Sequence, residues 1–192
     1  MIKLALIECG SHSRANHIPA LHHYARDHPS EVELTAVCDL NRDLASEVAA
    51  GGGFSRVHTD YRAMVETEEI DGCVCVMPIE LTASLAKDLL RRGMPCTIEK
   101  PTAATLADAR SIVEVAGETG TMAPRLQCWR ENELVIDERP PSEQPMHVRI
   151  GPYGETAEFV TALAEGRRPW PSVEEVYPSI ALAFELDPSK ET

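Results

Sequence analysis

Basic residues are scarce in this sequence of 192 residues. It contains 18 lysines and arginines against 31 aspartates and glutamates, which gives a formal net charge of −13. Nucleic acids and anionic membrane surfaces are bound through clusters of basic side chains. The composition therefore predicts neither a nucleic-acid partner nor a membrane partner.

Long hydrophobic runs and paired cysteines are also missing. No apolar segment approaches the ~20 residues that span a bilayer. The opening segment 1–7 runs directly into Glu8, which indicates a buried strand rather than a secretory leader. The six cysteines include no Cys-x-x-Cys pair of the kind that binds zinc. These features predict reduced core cysteines and a cytoplasmic protein.

The histidine spacing contains no metal-binding motif. His22, His23 and His28 lie on or just after one predicted helix. They lack the i, i+4 pair and the acidic third ligand of a helical zinc site, so they are interpreted as solvated residues. The sequence predicts no metal site.

Short apolar runs alternate with amphipathic stretches over the first 124 residues. Strands are predicted at 4–7, 32–38, 56–58, 73–77 and 96–98. Helices are predicted at 15–28, 43–50, 61–67, 81–92 and 106–119. Strands separated by helices of this length require right-handed crossovers. The pattern therefore predicts an α/β fold with a doubly wound parallel Rossmann sheet.

The character of the sequence changes after Pro124. One or two strands are predicted within 125–136, a proline-rich loop at 140–145, and helices at 155–166 and from Ser172 toward Leu186. We therefore divide the chain into a Rossmann domain at 1–124 and a truncated α+β C-terminal part at 125–192.

The turn after the first strand retains one glycine of the dinucleotide motif. In G-x-G-x-x-G, the glycines let the backbone approach a pyrophosphate at a helix N-terminus. Glu8 occupies the first glycine position here, Gly10 the second and Ser13 the third. On its own, this segment fits a structural turn better than a nucleotide loop.

An acidic residue closes the second strand. Asp39 lies at about the position where a carboxylate accepts hydrogen bonds from an adenosine ribose. It could equally cap the helix that follows. If it binds the ribose, NAD is favoured over NADP, although Arg42 leaves room for a 2′-phosphate.

The tripeptide Glu99-Lys100-Pro101 follows the apolar run 95–98. Open α/β sheets carry their chemistry at the carboxyl ends of the strands, where a lysine can shuttle a proton. The alternative is a helix start, with Pro101 in the first turn and Thr102 as its cap. The three residues alone favour the helix start.

Taken in order, the Gly10 loop, Asp39, Pro78 and the tripeptide resemble the glucose-fructose oxidoreductase, inositol dehydrogenase and MocA family of nicotinamide-dependent enzymes. The tripeptide is the most specific of these motifs. The similarity also covers the segments 16–21, 70–74, 93–96, 154–155, 159–163, 166 and 171–175.

The resemblance implies an NAD(P)-dependent oxidoreductase that moves hydride between a nicotinamide and the carbinol carbon of a sugar or polyol. It implies Lys100 as acid and base, Glu99 as a contact of the nicotinamide ribose, and Asp39 as a contact of the adenosine ribose. The other cofactor contacts that it implies are Gly10, Ser11, His12, Ser13 and Pro78.

The family's second domain is represented only in part. Residues 125–129 resemble a late strand of that domain. The aspartate and histidine of the family's substrate domain have no identified counterpart here, and His147 is a poor substitute for the histidine. Thr82 stands where the family often has a histidine. Another subunit would then complete the substrate pocket, and we expect a homodimer or homotetramer that covers the exposed sheet.

Glu8 bears on whether this chain is an active member of the family or a degenerate one. A carboxylate ~5 Å from a pyrophosphate charge, at an effective dielectric of ~20, opposes that charge by about 3 kcal/mol. Cofactor affinity would fall on the order of a hundredfold, with partial relief from Arg14. The tripeptide and Asp39 favour an active oxidoreductase. Glu8 and the short second domain favour a relative with a binding, regulatory or non-redox role.

Overall fold

A five-stranded parallel sheet forms the centre of the protein. The computed structural model describes residues 1–121, 152–170 and 172–185. Its strands are β1 (Ile2–Ile7), β2 (Val32–Cys38), β3 (Arg56–His58), β4 (Gly72–Cys75) and β5 (Cys96–Ile98). All neighbouring strands run parallel, in the spatial order β3-β2-β1-β4-β5. The chain changes direction across the sheet between β3 and β4, which confirms the doubly wound Rossmann topology.

Helices cover both faces of this sheet. They are α1 (Ile18–Asp27), α2 (Arg42–Gly52), α3 (Tyr61–Thr67), α4 (Ile79–Arg91), α5 (Leu106–Thr119), α6 (Pro152–Glu165) and α7 (Val173–Glu185). The core on one face is formed with α1, α2 and α6, and the core on the other with α3, α4, α5 and α7. None of the helices in the described ranges is long and apolar enough to cross a membrane.

The central strand β1 is buried on both of its sides. Leu4 and Leu6 lie in one core cluster, whereas Ala5 and Ile7 lie in the other. This division follows from the two-residue repeat of a strand, which turns successive side chains to opposite faces. A strand buried on both faces needs a continuous apolar run, and the run at the start of the chain supplies it.

The first two helices have boundaries that differ from the sequence-based prediction, and α4 and α6 begin two and three residues earlier than expected. The helix expected over 15–28 begins at Ser11, passes through a π-helical turn at Ser13–His17 and continues as α1 from Ile18. The helix expected to stop at Ala50 continues to Gly52, and Gly53 ends it with a φ of 83°. Glycine is favoured at this left-handed position because it has no Cβ.

The two C-terminal helices pack against the Rossmann sheet. Phe159 of α6 is fully buried and lies over β4, and the Tyr153 hydroxyl donates a hydrogen bond to Asp27 at 3.1 Å. On the other face, Val173 of α7 is buried, and Arg110 of α5 donates to the Tyr177 hydroxyl at 3.2 Å. Residues distant in sequence thereby complete both cores.

Gly72 is required where α6 crosses β4. A Cβ at this position would lie 2.6 Å from Cζ of Phe159 and 2.9 Å from Cδ1 of Leu163. We expect Gly72→Ala to lower the free energy of unfolding by about 1–3 kcal/mol, the usual effect of overpacking, as measured by urea denaturation. The control is Gly117→Ala in α5, where a Cβ meets no atom within 4 Å. It should raise stability by about 0.5–1 kcal/mol, and equal losses in both variants would contradict the close packing at Gly72.

The five cysteines within the described residues are free thiols in the core. Cys9, Cys38, Cys73, Cys75 and Cys96 are all buried. Burial raises the pKa of Cys9 and of Cys38 to about 12, so neither forms a reactive thiolate near neutral pH. The prediction of reduced core cysteines is confirmed for these five, while Cys128 lies outside the described residues.

Several predictions concern residues that the structure does not describe. The strands within 125–136, the loop at 140–145 and His147 lie outside the described ranges. The division of the chain at residue 124 also stays a prediction. Both described helices beyond that point belong to the same two cores as the sheet.

Candidate functional site

The residues singled out in the sequence meet at the carboxyl edge of the sheet. Main-chain hydrogen bonds tie the residues that follow β1, β4 and β5 to the ends of neighbouring strands: Glu8 N to Cys38 O at 2.8 Å, Val76 N to Ile7 O at 3.1 Å, and Glu99 N to Cys75 O at 3.1 Å. The Gly10 loop, Asp39, Pro78 and the tripeptide thus lie along one edge, where open α/β sheets bind ligands.

Glu8 adopts the backbone conformation that the motif reserves for glycine. Its φ is 82°, and it is the only non-glycine residue with positive φ in the described part of the chain. Its side chain folds over Gly10, so that a Cβ on Gly10 would collide with Glu8 Oε1. The carboxylate accepts a hydrogen bond from the Gly10 main chain. An internal anion therefore occupies the amide that the motif normally offers to a phosphate.

The surroundings of Glu8 raise the pKa of its carboxyl above the usual range. Burial raises the pKa of this carboxyl, and the nearby charge of Asp39 acts in the same direction. The Gly10 hydrogen bond and the charges of His12 and Arg14 oppose the increase without cancelling it.

The helix that follows Gly10 presents its N-terminus to the same edge. Ser11 and His12 are exposed, whereas Ser13 is fully buried and its Oγ has no hydrogen-bond partner among the described residues. The first amides of a helix have no partner within it. Ser11, His12 and Ser13 can therefore offer main-chain donors, and only the first two also offer exposed side chains.

Asp39 joins the first loop to the end of β2. Its Oδ2 accepts from Cys9 N at 2.8 Å, and its Oδ1 accepts from Asn41 N at 2.8 Å. The cap of α2 is Asn41, whose side chain accepts from the amides of Asp43 and Leu44. The interpretation of Asp39 as the helix cap is therefore wrong. Each carboxylate oxygen keeps a further acceptor position for a ligand hydroxyl.

The tripeptide does not begin a helix. Helix α5 starts at Leu106 and is capped by Thr105, whose hydroxyl accepts from Asp108 N. Thr102 is buried and lies outside the helix, so the alternative interpretation of this segment is wrong. Lys100 is exposed at the carboxyl end of β5, and the Lys100–Pro101 peptide is cis.

Two histidines converge on Glu99. Glu99 Oε1 lies 2.8 Å from Nε2 of His17 and 3.5 Å from Nε2 of His12. The other oxygen, Oε2, accepts from Lys100 N at 2.7 Å. The His17 side chain is 7% exposed, whereas that of His12 is 54% exposed. Glu99 is thus fixed from both sides next to Lys100.

These contacts keep Glu99 ionised. Burial alone would raise the pKa of Glu99, but the hydrogen bond and charge of His17, the Lys100 amide and the charge of His12 together lower it to about 2. The site therefore contains a permanent carboxylate at neutral pH.

Sequence reasoning assigned no role to His17. Residues five apart on an α-helix point in different directions, since each residue turns by about 100°. The π-helical turn at Ser13–His17 is wider, and the rings of His12 and His17 lie 5.6 Å apart. The pair of histidines five residues apart was the available signal, and it is informative only if the wider turn is recognised.

Pro78 and Thr82 occupy different environments at the start of α4. Pro78 is exposed and precedes the first residue of the helix. Thr82 is buried, and its hydroxyl donates to the Pro78 carbonyl at 3.1 Å. Pro78 can contact a ligand at the edge of the sheet, whereas Thr82 supports the helix start.

The sequence is similar to an oxidoreductase family and to individual dehydrogenases. Residues 2–124 match the GFO_IDH_MocA family, described as an oxidoreductase family with an NAD-binding Rossmann fold. D-apiose dehydrogenase of Paraburkholderia graminis is 32% identical over 118 residues, which cover 62% of this chain and 30% of that protein. The rhizopine catabolism protein MocA of Rhizobium meliloti is 29% identical over 116 residues, covering 60% and 36%. The chain spans about a third of the length of these relatives.

Solved structures show the same fold. The WlbA dehydrogenase of Bordetella pertussis, in complex with NADH and UDP-GlcNAcA, has a TM-score of 0.56 and 26% identity, covering 64% of this chain and 36% of that one. A mutant of KijD10, a 3-ketoreductase of Actinomadura kijaniata in complex with TDP-benzene and NADP, has a TM-score of 0.55 and 25% identity, covering 64% and 37%. The chain therefore belongs to the Gfo/Idh/MocA family of oxidoreductases with an NAD-binding Rossmann fold.

Proposed function

We propose that this chain binds a nicotinamide dinucleotide along the carboxyl edge of its sheet and takes part in hydride transfer to or from a sugar-like carbinol. The observation that carries the proposal is the alignment of the Gly10 loop, Asp39 and Lys100 on that one edge. A dinucleotide lies in this direction across a Rossmann sheet, with its pyrophosphate at the first helix N-terminus.

The described residues fit the two ends of the dinucleotide better than its centre. Asp39 has spare acceptor positions for ribose hydroxyls, and Pro78 is exposed between the two halves of the sheet. At the centre, the main-chain donors of Ser11, His12 and Ser13 are available, but Glu8 lies across Gly10. The expected result is a retained site of reduced affinity.

Lys100 is the proposed acid and base. The nicotinamide, when bound, accepts or donates the hydride at its ring. Lys100 then takes the hydroxyl proton as an alcohol is oxidised, or returns it as a carbonyl is reduced. Glu99 positions Lys100 through its main-chain amide. Hydrogen bonds with His17 and from Lys100 N use two of about four acceptor positions on its carboxylate, which leaves room for the nicotinamide ribose.

NAD is the proposed cofactor. A carboxylate at Asp39 accepts from ribose hydroxyls and repels a 2′-phosphate. The relatives include complexes with NADH and with NADP, so the preference rests on Asp39 alone. A sugar-like substrate agrees with D-apiose dehydrogenase and with the sugar-nucleotide complex of WlbA. Cytoplasmic location and a homodimer or homotetramer remain predictions.

A second candidate is a degenerate relative that keeps the scaffold for binding or regulation. The observation in its favour is the Glu8 carboxylate, which takes the Gly10 hydrogen bond and adds negative charge to the pyrophosphate position. In this case the chain would bind the dinucleotide too weakly for turnover.

A titration of NADH fluorescence, in buffer containing a metal chelator, tests the proposal. We expect Asp39→Ala to weaken NADH binding by about ten- to a hundredfold, because it removes charge-assisted hydrogen bonds. Lys100→Ala should bind NADH nearly as well as the wild type, since its role is in proton transfer.

Asn41→Ala is the matched control for Asp39→Ala. It removes the α2 cap from the same turn, at about 1 kcal/mol of stability, without removing the proposed ribose contact. If Asn41→Ala weakens NADH binding as much as Asp39→Ala does, Asp39 acts only through the turn and the ribose assignment is wrong.

A further inference from the structure

We propose that His12, His17 and Glu99 form a divalent metal site of the zinc class, with its fourth coordination position open. The ligand atoms would be Nε2 of each histidine and Oε1 of Glu99. This site does not depend on the proposed nicotinamide function, because it is built from protein groups alone.

The distances are close to those of a zinc site. The three ligand atoms all lie within 4.8 Å of one another, and the two distances to Glu99 Oε1 are 2.8 and 3.5 Å. Ligands of a tetrahedral zinc ion, at bonds of about 2.0–2.2 Å, are separated by about 3.3 Å. Small side-chain rotations would bring all three atoms to that separation.

The backbone supplies the convergence of the two imidazoles. The π-helical turn at Ser13–His17 begins directly after His12 and ends at His17. A turn with i to i+5 hydrogen bonds brings residues five apart to one side of the helix, and such turns occur frequently at functional sites. The third ligand arrives from the end of β5, 82 residues later in the chain.

The ligand atoms of this site favour some metal ions over others. Imidazole nitrogen with carboxylate oxygen suits zinc and other borderline transition metals better than magnesium or calcium, which prefer all-oxygen sites. Three protein ligands with an open fourth position are typical of reactive zinc sites. Because the His12 side chain is half-exposed, the site can be reached from solvent.

Neighbouring groups support a bound cation. Glu8 lies close enough to His12 for their charges to interact, which adds a second carboxylate to the field at the site. The Asn16 amide nitrogen lies 3.2 Å from Nδ1 of His12 and donates to the His12 carbonyl at 3.1 Å, which holds this imidazole in place beside the site.

Zinc binding to the full chain, without nucleotide, tests this site. Chelator-treated and desalted protein competes with a chromophoric indicator for zinc. We expect the wild type to bind one equivalent of zinc. His12→Gln should bind zinc at least tenfold more weakly, because losing a metal ligand costs at least as much affinity as losing a group that hydrogen-bonds to a ligand. His12 is exposed, so this variant should fold. His58→Gln is the matched control, because His58 pairs with Glu68 at 2.9 Å without a second histidine, and it should bind zinc as the wild type does.

Cobalt separates this site from cysteine binding. Co²⁺ in place of zinc should give the visible d–d absorption of a four-coordinate ion without a thiolate charge-transfer band. No zinc uptake, equal uptake by His12→Gln, or a thiolate band would each overturn the proposal. Because the NADH titrations contain a chelator, failure of the zinc site leaves the nucleotide result unaffected, and the converse also holds.

Discussion

Replacing Glu8 with glycine should strengthen NADH binding by about ten- to a hundredfold. The substitution removes a carboxylate that lies across Gly10 and takes its hydrogen bond. It also restores the residue type that tolerates the φ of 82° without strain. Fluorescence titration with NADH measures the gain directly.

Glu8→Gln separates the charge of the side chain from its bulk. The amide retains the size of glutamate but carries no charge, so it should recover the electrostatic part of the gain. If both variants bind NADH as the wild type does, the carboxylate does not face the pyrophosphate and its placement as an internal competitor is wrong.

The same carboxylate predicts a pH dependence. The pKa of Glu8 is raised above its usual value, chiefly by burial, and protonation removes its repulsion of the pyrophosphate. Wild-type affinity for NAD⁺, measured by calorimetry, should therefore rise as pH falls through that pKa. His12, Arg14 and Asp39 also face Glu8, but they are present in Glu8→Gln as well. A wild-type pH profile that matches that of Glu8→Gln would contradict this role.

Truncation of Phe159 should be the most destabilising of the substitutions considered. The side chain is fully buried between α6 and β4. We expect Phe159→Ala to lower the free energy of unfolding by about 3–5 kcal/mol, through lost burial and the cavity that remains. Urea denaturation followed by circular dichroism measures the change.

Leu182→Ala provides the control for Phe159→Ala. Leu182 lies on α7 and is 54% exposed, so its truncation should change stability by no more than about 0.5 kcal/mol. A loss below about 1 kcal/mol for Phe159→Ala would mean that α6 contributes little to the core.

The sheet was predictable because its strands have a simple requirement. Strands buried on both faces need continuous apolar runs, and those preceding Glu8, Asp39 and Glu99 are short and bounded by polar residues. The attachment of α6 and α7 was not predictable in this way. An apolar helix face indicates burial, but it does not identify the surface that covers it.

The candidate site was predictable only where a motif fixes geometry. Asp39 and Lys100 were found because their positions follow from strand ends. The direction of the Glu8 side chain depends on its backbone conformation and on the Gly10 amide, neither of which a sequence shows. The His17–Glu99 contact joins residues 82 apart, and the π-helical turn beside it departs from the regular helical repeat that sequence patterns detect.

Titration of NADH into wild type, Glu8→Gly and the double variant Glu8→Gly/Asp39→Ala tests most directly whether this edge of the sheet is a dinucleotide site. We predict saturable binding that is stronger in Glu8→Gly than in the wild type. The added Asp39→Ala substitution should remove about tenfold or more of that affinity. A millimolar dissociation constant corresponds to a binding free energy of about −4 kcal/mol. If Glu8→Gly shows no saturable binding at millimolar NADH, the assignment of this edge as a dinucleotide site is wrong.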